Sequence, residues 1–242
     1  MFAELCCTSN FTFLTGASHP DEYVWRAQSL GYRGLGLTDE ASVSGSVRAH
    51  VAAQAAGIPL VHGAFFQLEP GWHLSLLATN RAGWGELCQL ISLSRRRAEK
   101  GQYQISHRDL LGQTDHLLCL WHPDPHAVQW TRQIEALHHV FRGRFWIAAH
   151  LPEDGHQAAL AERIDLTAFE WNLPVVATQR PLMHQRQRLK LQHTLTAIRL
   201  NQSLAETADR LERSSERTLL SIEALAARYP APWLHESLNI LD

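Results

Sequence analysis

Leu35-Gly36-Leu37-Thr38-Asp39-Glu40-Ala41-Ser42-Val43-Ser44-Gly45 reads as a buried strand running into a loop that carries acid. The apolar run Leu35 to Leu37 leads into Thr38-Asp39, small residues follow, and a helical pattern then begins. In parallel α/β folds the chemistry gathers at the C-terminal ends of the strands, so Asp39 marks where a site is expected.

The same alternation extends outward in both directions. Glu4 to Thr8 reads as a first strand, and Ser18, Pro20 and Asp21 read as the start of a helix with Tyr23, Val24, Ala27 and Leu30 on its apolar face. Val43, Val47, Val51 and Ala55 repeat every four residues up to Gly57, which predicts a second helix. Further strands are predicted at 59–63 (extending toward 68), 72–78, 116–121, 144–149 and 174–178. Helices fall between most of them, one carrying Ala127, Trp130, Ile134, Leu137 and Phe141. After Thr178 the alternation stops. Helices are expected over 185–200, 204–211 and 218–228, and from Trp233 to the last residue, Asp242, as though the chain were part of something longer.

Seven strands with intervening helices imply a parallel sheet in an α/β fold, closed into a seven-stranded barrel or open and doubly wound. The expected division is a barrel over 1–184 and a helical extension over 185–242 packing on it. Neither GxGxxG nor GxxxxGK[ST] follows any strand, which weakens nucleotide-binding readings.

Composition bounds the function. Among 242 residues, 45% are hydrophobic and 19% charged, a globular balance. The net charge of -2 gives no whole-chain preference for nucleic acid, so such contact must come from local patches. The basic run Arg95, Arg96, Arg97 and Lys100, with Arg186, Arg188, Lys190 and Arg199, supplies candidates for DNA or interdomain contact, although solvated faces usually explain such charges. Trp121, Trp130 and Trp233 are candidates for an interdomain surface. No apolar run reaches the roughly 20 residues of a membrane span. Four cysteines without a CxxC, and no signal peptide at Met1, point to reduced thiols and a cytoplasmic protein.

The order and spacing of the strand ends resemble a known family. Glu4-Leu5, then Ser9-Asn10-Phe11-Thr12-Phe13-Leu14-Thr15-Gly16-Ala17-Ser18-His19-Pro20, then Leu37 to Ser42, and Thr194-Leu195-Thr196-Ala197-Ile198-Arg199-Leu200 carry the likeness. It is to the PHP (polymerase and histidinol phosphatase) domain of bacterial DNA polymerase III alpha subunits, nearest to their error-prone paralogue. The resemblance implies a distorted seven-stranded barrel ahead of polymerase domains. It implies a parent protein with nucleotidyltransferase activity in DNA replication, repair and damage tolerance by translesion synthesis. Partners implied in the same way are the polymerase domains of one chain, DNA, a sliding clamp and mutagenesis accessory proteins, with Mg²⁺ in the polymerase domain.

Active members of the family hold two or three divalent ions on His and acidic side chains at these strand ends, polarising a phosphate ester and a bridging water. Relative to that pattern, His-x-His becomes Cys6-Cys7-Thr8, Asp-His becomes Asp39-Glu40, Phe65 stands where a Glu belongs, and Arg180-Pro181-Leu182 replaces Asp-x-His. Asp39, Glu40, His73, Cys6 and His150 remain as residual ligand types. No cofactor and no catalytic residue is expected in this domain, and Arg180 is expected to pair with Asp39 or Glu40 in place of the metal charge. The alternatives are a metal-dependent phosphoesterase or 3′–5′ exonuclease using Zn²⁺ or Mn²⁺ on a rearranged site, and a stand-alone adaptor.

Overall fold

The structure is a computed structural model and describes residues 1–69, 71–127 and 130–242. Seven strands form a single sheet in sequence order. They are β1 Ala3–Cys7, β2 Gly34–Glu40, β3 Leu60–Gln67, β4 His73–Ala78, β5 Leu117–His122, β6 Phe145–Ala149 and β7 Val175–Ala177. The helices are α1 Pro20–Ser29, α2 Ser46–Ala56, α3 Arg81–Arg96, α4 Thr131–Val140, α5 Gln157–Trp171, α6 Leu189–Leu200, α7 Ile222–Arg228 and α8 Ala231–Leu241. The sheet curls into a nearly closed barrel, the α/β architecture expected.

The sheet is not all parallel. β4 pairs antiparallel with both β3 and β5, while the other neighbours are parallel. The cause is chain length. Residues 68–72 join β3 to β4, far fewer than the dozen or so a parallel crossover needs. The reversal carries His73, the first residue of β4, to the barrel end that holds the C-termini of the other strands. There it lies opposite His122 in register.

Among the described residues no backbone ladder joins β7 to β1. Helix α8 lies against both strands instead, and Ser237 Oγ accepts the Ala3 amide at 3.0 Å. Leu238, Ile240 and Leu241 of α8 pack against the inner cluster of Ala3, Leu5, Leu77, Leu120, Ala148 and Val176. The foot of the barrel is therefore filled by apolar side chains and one helix end. Gly36 is required where β2 crosses β1, because a Cβ there would stand 2.4 Å from the Leu5 carbonyl oxygen.

Several local expectations shift. The cap of α1 is His19 with Glu22, one residue beyond Ser18 and Asp21; Ser18 Oγ contacts His184 Nδ1 at 2.8 Å instead. Residues 204–211 form turns and a short 3₁₀ segment, Ala208–Arg210, and not a helix. Ser203 and Thr207 there bond the local backbone and Glu206 with their own hydroxyls, which competes with helix formation. The expected helix through Ala127 and Trp130 begins at Thr131, and its positions 128 and 129 lie outside the described residues. Trp121, Trp130 and Trp233 are buried core residues and offer no interdomain surface. Trp121 donates to Gln133 at 2.8 Å and packs edge-on against Trp130.

Candidate functional site

The C-terminal strand ends surround a polar cavity of about 210 Å³. β1 contributes Cys6, the loop after it Thr8 and Thr12, β2 Glu40, β3 Phe65, β4 Ser75, β5 His122, and the chain after β7 Arg180. Arg217 and Glu212 reach in from the helical extension.

Asp39 is deeply buried, but it does not face a cation. Its Oδ1 accepts the Ser9 amide at 2.7 Å and the Thr12 hydroxyl at 2.8 Å, and its Oδ2 accepts the Ser9 hydroxyl at 2.7 Å. Burial raises its pKa against the pull of these donors. Its carboxylate folds the β1 loop over the barrel. Glu40 is likewise engaged: its carboxylate accepts the Tyr103 hydroxyl at 2.8 Å, and its carbonyl accepts from Arg95 at 3.1 Å.

The expected pairing of Arg180 with Asp39 is not what the structure shows. Among the described residues neither Asp39 nor Glu40 forms an ion pair with Arg180. Three donors from Ser9 and Thr12 already engage both oxygens of Asp39. The Arg180 guanidinium instead lies 5.2 Å from the centre of the Phe65 ring, and the residue sits at φ 45°, in the left-handed region. Burial, and then the neighbouring Arg217, lower its pKa to about 10.

The remaining ligand types are scattered. Cys6 is buried, and burial with the nearby Glu4 carboxylate pushes its thiol up to about 12, so it is neutral at physiological pH. Cys7 points into the main core among apolar residues. Burial, followed by Arg180, lowers the pKa of His73. Burial, Arg217 and Arg180 hold His150 well below its ordinary value, and its Nδ1 lies 3.4 Å from the Thr178 carbonyl. These imidazoles are neutral beside the half-buried Arg180. Among the described residues, no three His, Cys, Asp or Glu side chains stand where they could hold one ion. With Asp39 engaged by Ser9 and Thr12, Phe65 apolar and Arg180 cationic, the donors present do not fit the family's metal cluster.

Some residues that shape the mouth have little sequence signal. His122 ends β5 one residue beyond the expected strand limit at Trp121, and its Nε2 lies 2.9 Å from Ser75 Oγ. Arg217 donates to the Arg180 carbonyl at 3.0 Å and to Glu212 at 2.8 Å. Glu4 gives a clearer signal, a carboxylate inside a five-residue strand that is buried throughout. It accepts from Thr178 Oγ1 at 2.6 Å, the Gln179 amide at 2.7 Å and the Cys6 amide at 3.0 Å.

The basic candidates divide. Arg95 is tied to carbonyls of Glu40, Ala41, Gly101 and Gln102, which makes it a brace for the β2 loop. Arg97 pairs with Asp109 at 2.6 Å, and Arg188 pairs with Glu22. Arg96 and Arg186 are exposed. No described helix is long and apolar enough to cross a membrane.

Comparison with known proteins agrees with this architecture. The family model of the PHP domain matches residues 4–143. The chain is 43% identical over 251 residues to the error-prone DNA polymerase of Alkalilimnicola ehrlichii, covering 100% of this chain and 23% of that protein. It is 42% identical over 247 residues to the error-prone DNA polymerase of Methylococcus capsulatus, again covering 100% of this chain and 23% of the relative. The chain thus spans about a quarter of the length of the curated relatives it matches. Among solved structures, a candidate metal-dependent phosphoesterase of Bifidobacterium adolescentis superposes with a TM-score of 0.57 at 13% identity, over 74% of this chain and 86% of that one. At that identity the likeness concerns the fold alone. Since the family model spans more than half of the sequence, the chain belongs to the PHP domain family.

Proposed function

We propose that this chain serves as the PHP-type structural and interaction domain of an error-prone DNA polymerase, with a mouth that no longer runs metal-dependent hydrolysis. One observation carries the reading: both oxygens of Asp39 are taken by Ser9 and Thr12, Asp39 is not among the residues lining the cavity, and Arg180 is. A cation entering the cavity would meet the Arg180 charge, and using Asp39 as a ligand would mean displacing three donors. The likeness to error-prone DNA polymerases supports the setting, a cytoplasmic protein of DNA replication and repair that synthesises across damage. In that setting the nucleotidyltransferase chemistry and its Mg²⁺ belong to other domains of the same polypeptide. Those domains, with DNA, a sliding clamp and mutagenesis accessory proteins, are the partners.

The test is metal content. The purified chain is equilibrated with Zn²⁺, Mn²⁺ and Mg²⁺, dialysed exhaustively, and measured by plasma mass spectrometry. No stoichiometric ion is expected. A tightly held ion that disappears in Asp39→Ala, with divalent-dependent release of nucleotides, would replace this reading with a phosphoesterase or 3′–5′ exonuclease.

A further inference from the structure

We propose that an apolar groove between α2 and α3, opening at the foot of the barrel, seats the polypeptide that directly follows Asp242. That segment takes the place of a helix that the barrel lacks. The inference rests on the reading of this chain as one part of a longer polymerase and goes beyond it by assigning the surface on which the next segment lies.

The groove follows from the topology. Helices α1 to α5 fill connections between neighbouring strands, but the connection from β3 to β4, residues 68–72, carries no helix among its described residues. A sheet face needs a covering layer, and here one is missing. β1 and most of β2 are buried, whereas Leu60, Val61 and His62 at the start of β3 are only half-buried. Beside them runs an open cavity of about 890 Å³, bounded by Val47 and His50 of α2, Leu60 and His62 of β3, and Trp84 of α3. The Trp84 ring meets the His62 ring edge-on, with centres 5.4 Å apart, so aromatic surface forms part of the wall.

Helix α2 supplies an independent observation. It buries Ala49, Ala52 and Ala53. On its α1 flank, Arg48 pairs with Asp21 and the Ala56 carbonyl accepts from Gln28. The four-residue repeat of Val47, Val51 and Ala55 lies on another face and stays open: Val47 is 76% and Val51 62% exposed, and Ala55 is exposed as well. A helix that is apolar on more than one face is one that is buried on more than one. Contiguous exposed apolar surface marks an interaction site.

The position of the chain end selects the occupant. Ile240, Leu241 and Asp242 line the same cavity, so polypeptide joined at Asp242 starts inside it. Leu241 is held there by packing over Gly34, where a Cβ would stand 2.6 Å from its methyl groups. The matched region is 23% of the length of the relatives, so a polymerase of their size has ample chain to supply the segment. A segment tethered at the groove reaches it at an effective concentration of roughly millimolar, which no separate partner of ordinary abundance matches. The walls are largely apolar, with His50 and Arg81 exposed at the rim. They suit a segment that turns apolar side chains inward and leaves its polar ones in water.

The test uses the full-length protein, with Val47→benzoylphenylalanine for photo-crosslinking and Val47→Cys for maleimide labelling, both read at residue 47 by peptide mass. Crosslinks are expected within the first ~15 residues after Asp242, which extended span up to about 50 Å and so can traverse a groove on a domain of roughly 18 Å radius of gyration. Labelling of Val47→Cys is expected to be about tenfold or more slower in the folded protein than in urea, as for a covered site. Val51→Cys, on the same stripe, carries the measurement if Val47→Cys fails to fold. Labelling as fast in the folded as in the unfolded protein would overturn the proposal. So would crosslinks to a remote part of the polypeptide or to a second copy, or no crosslink at all. A reading frame without polymerase sequence beyond Asp242 would overturn the polymerase reading and this proposal with it, whereas polymerase sequence with an open groove defeats this proposal alone.

Discussion

Thr178 Oγ1 donates to Glu4 Oε1 at 2.6 Å across the seam where β7 and β1 share no ladder. The same carboxylate also takes the amides of Gln179 and Cys6, so one buried acid does locally what strand pairing does elsewhere in the barrel. Thr178 then passes the order onward, accepting the Arg180 amide at 3.0 Å on its hydroxyl and the Tyr229 hydroxyl at 2.9 Å on its carbonyl. The seam thereby connects β1, the Arg180 loop and the C-terminal helices.

Glu4 should impose a pH dependence on stability. Burial raises its folded pKa above the ordinary 4.5, so the folded state holds its proton more tightly than the unfolded state. Its favourable contribution is full below 4.5 and is lost as pH rises through the folded value. The stability of the wild type minus that of Glu4→Gln, from urea denaturation between pH 4 and pH 8, should therefore decline with pH and then level off. A difference that grows with pH would contradict the raised pKa.

Asp39→Ala strands the Ser9 amide, the Ser9 hydroxyl and the Thr12 hydroxyl, all buried. Unsatisfied buried groups cost ~1–3 kcal/mol each, and with partial relaxation a total loss of about 3 kcal/mol is expected. The check is the shift in the urea midpoint at constant m-value. A loss below about 0.5 kcal/mol, the size of an ordinary surface substitution, would show that the carboxylate does not organise the loop.

Removing Arg180 should not weaken the fold. Among the described residues it forms no ion pair with a carboxylate, Arg217 lowers its pKa, and its backbone sits at φ 45°. Replacing an unfavourably buried charge by an apolar side chain is commonly neutral or stabilising, so Arg180→Met should change stability by at most about 1 kcal/mol, toward greater stability. Arg180→Gly, which also frees the left-handed backbone, should gain about 1 kcal/mol, offset by the lost contact with Phe65. Thermal melts measure both. A pronounced drop at neutral pH would restore the ion pair with Asp39.

Ser237→Ala probes closure of the foot. Its hydroxyl accepts the Ala3 amide and donates to the Leu234 carbonyl at 2.7 Å, and both Ser237 and Ala3 are fully buried. The expected cost is about 1–2 kcal/mol, from a buried amide left without an acceptor. Faster hydrogen exchange at the Ala3 amide should accompany it, and unchanged exchange there would argue against the contact.

Much of this molecule was decided locally. The apolar runs placed the seven strands to within a few residues, since period and flanking turn residues are properties of short segments. Even the reversal of β4 was implicit in the brevity of residues 68–72. The order of the strand-end segments was enough to indicate the family, and the replacements at Cys6, Glu40, Phe65 and Arg180 were visible by inspection. The partners of these side chains were not. That Asp39 is engaged by Ser9 and Thr12, 30 and 27 residues away, follows from how the β1 loop folds back on β2. Opposite charges in sequence suggested an ion pair between Arg180 and Asp39, but proximity and competing donors decide pairing, and both exist only after the strands are brought side by side. The Glu4 seam likewise belongs to the tertiary structure, because it depends on contacts between segments far apart in the chain.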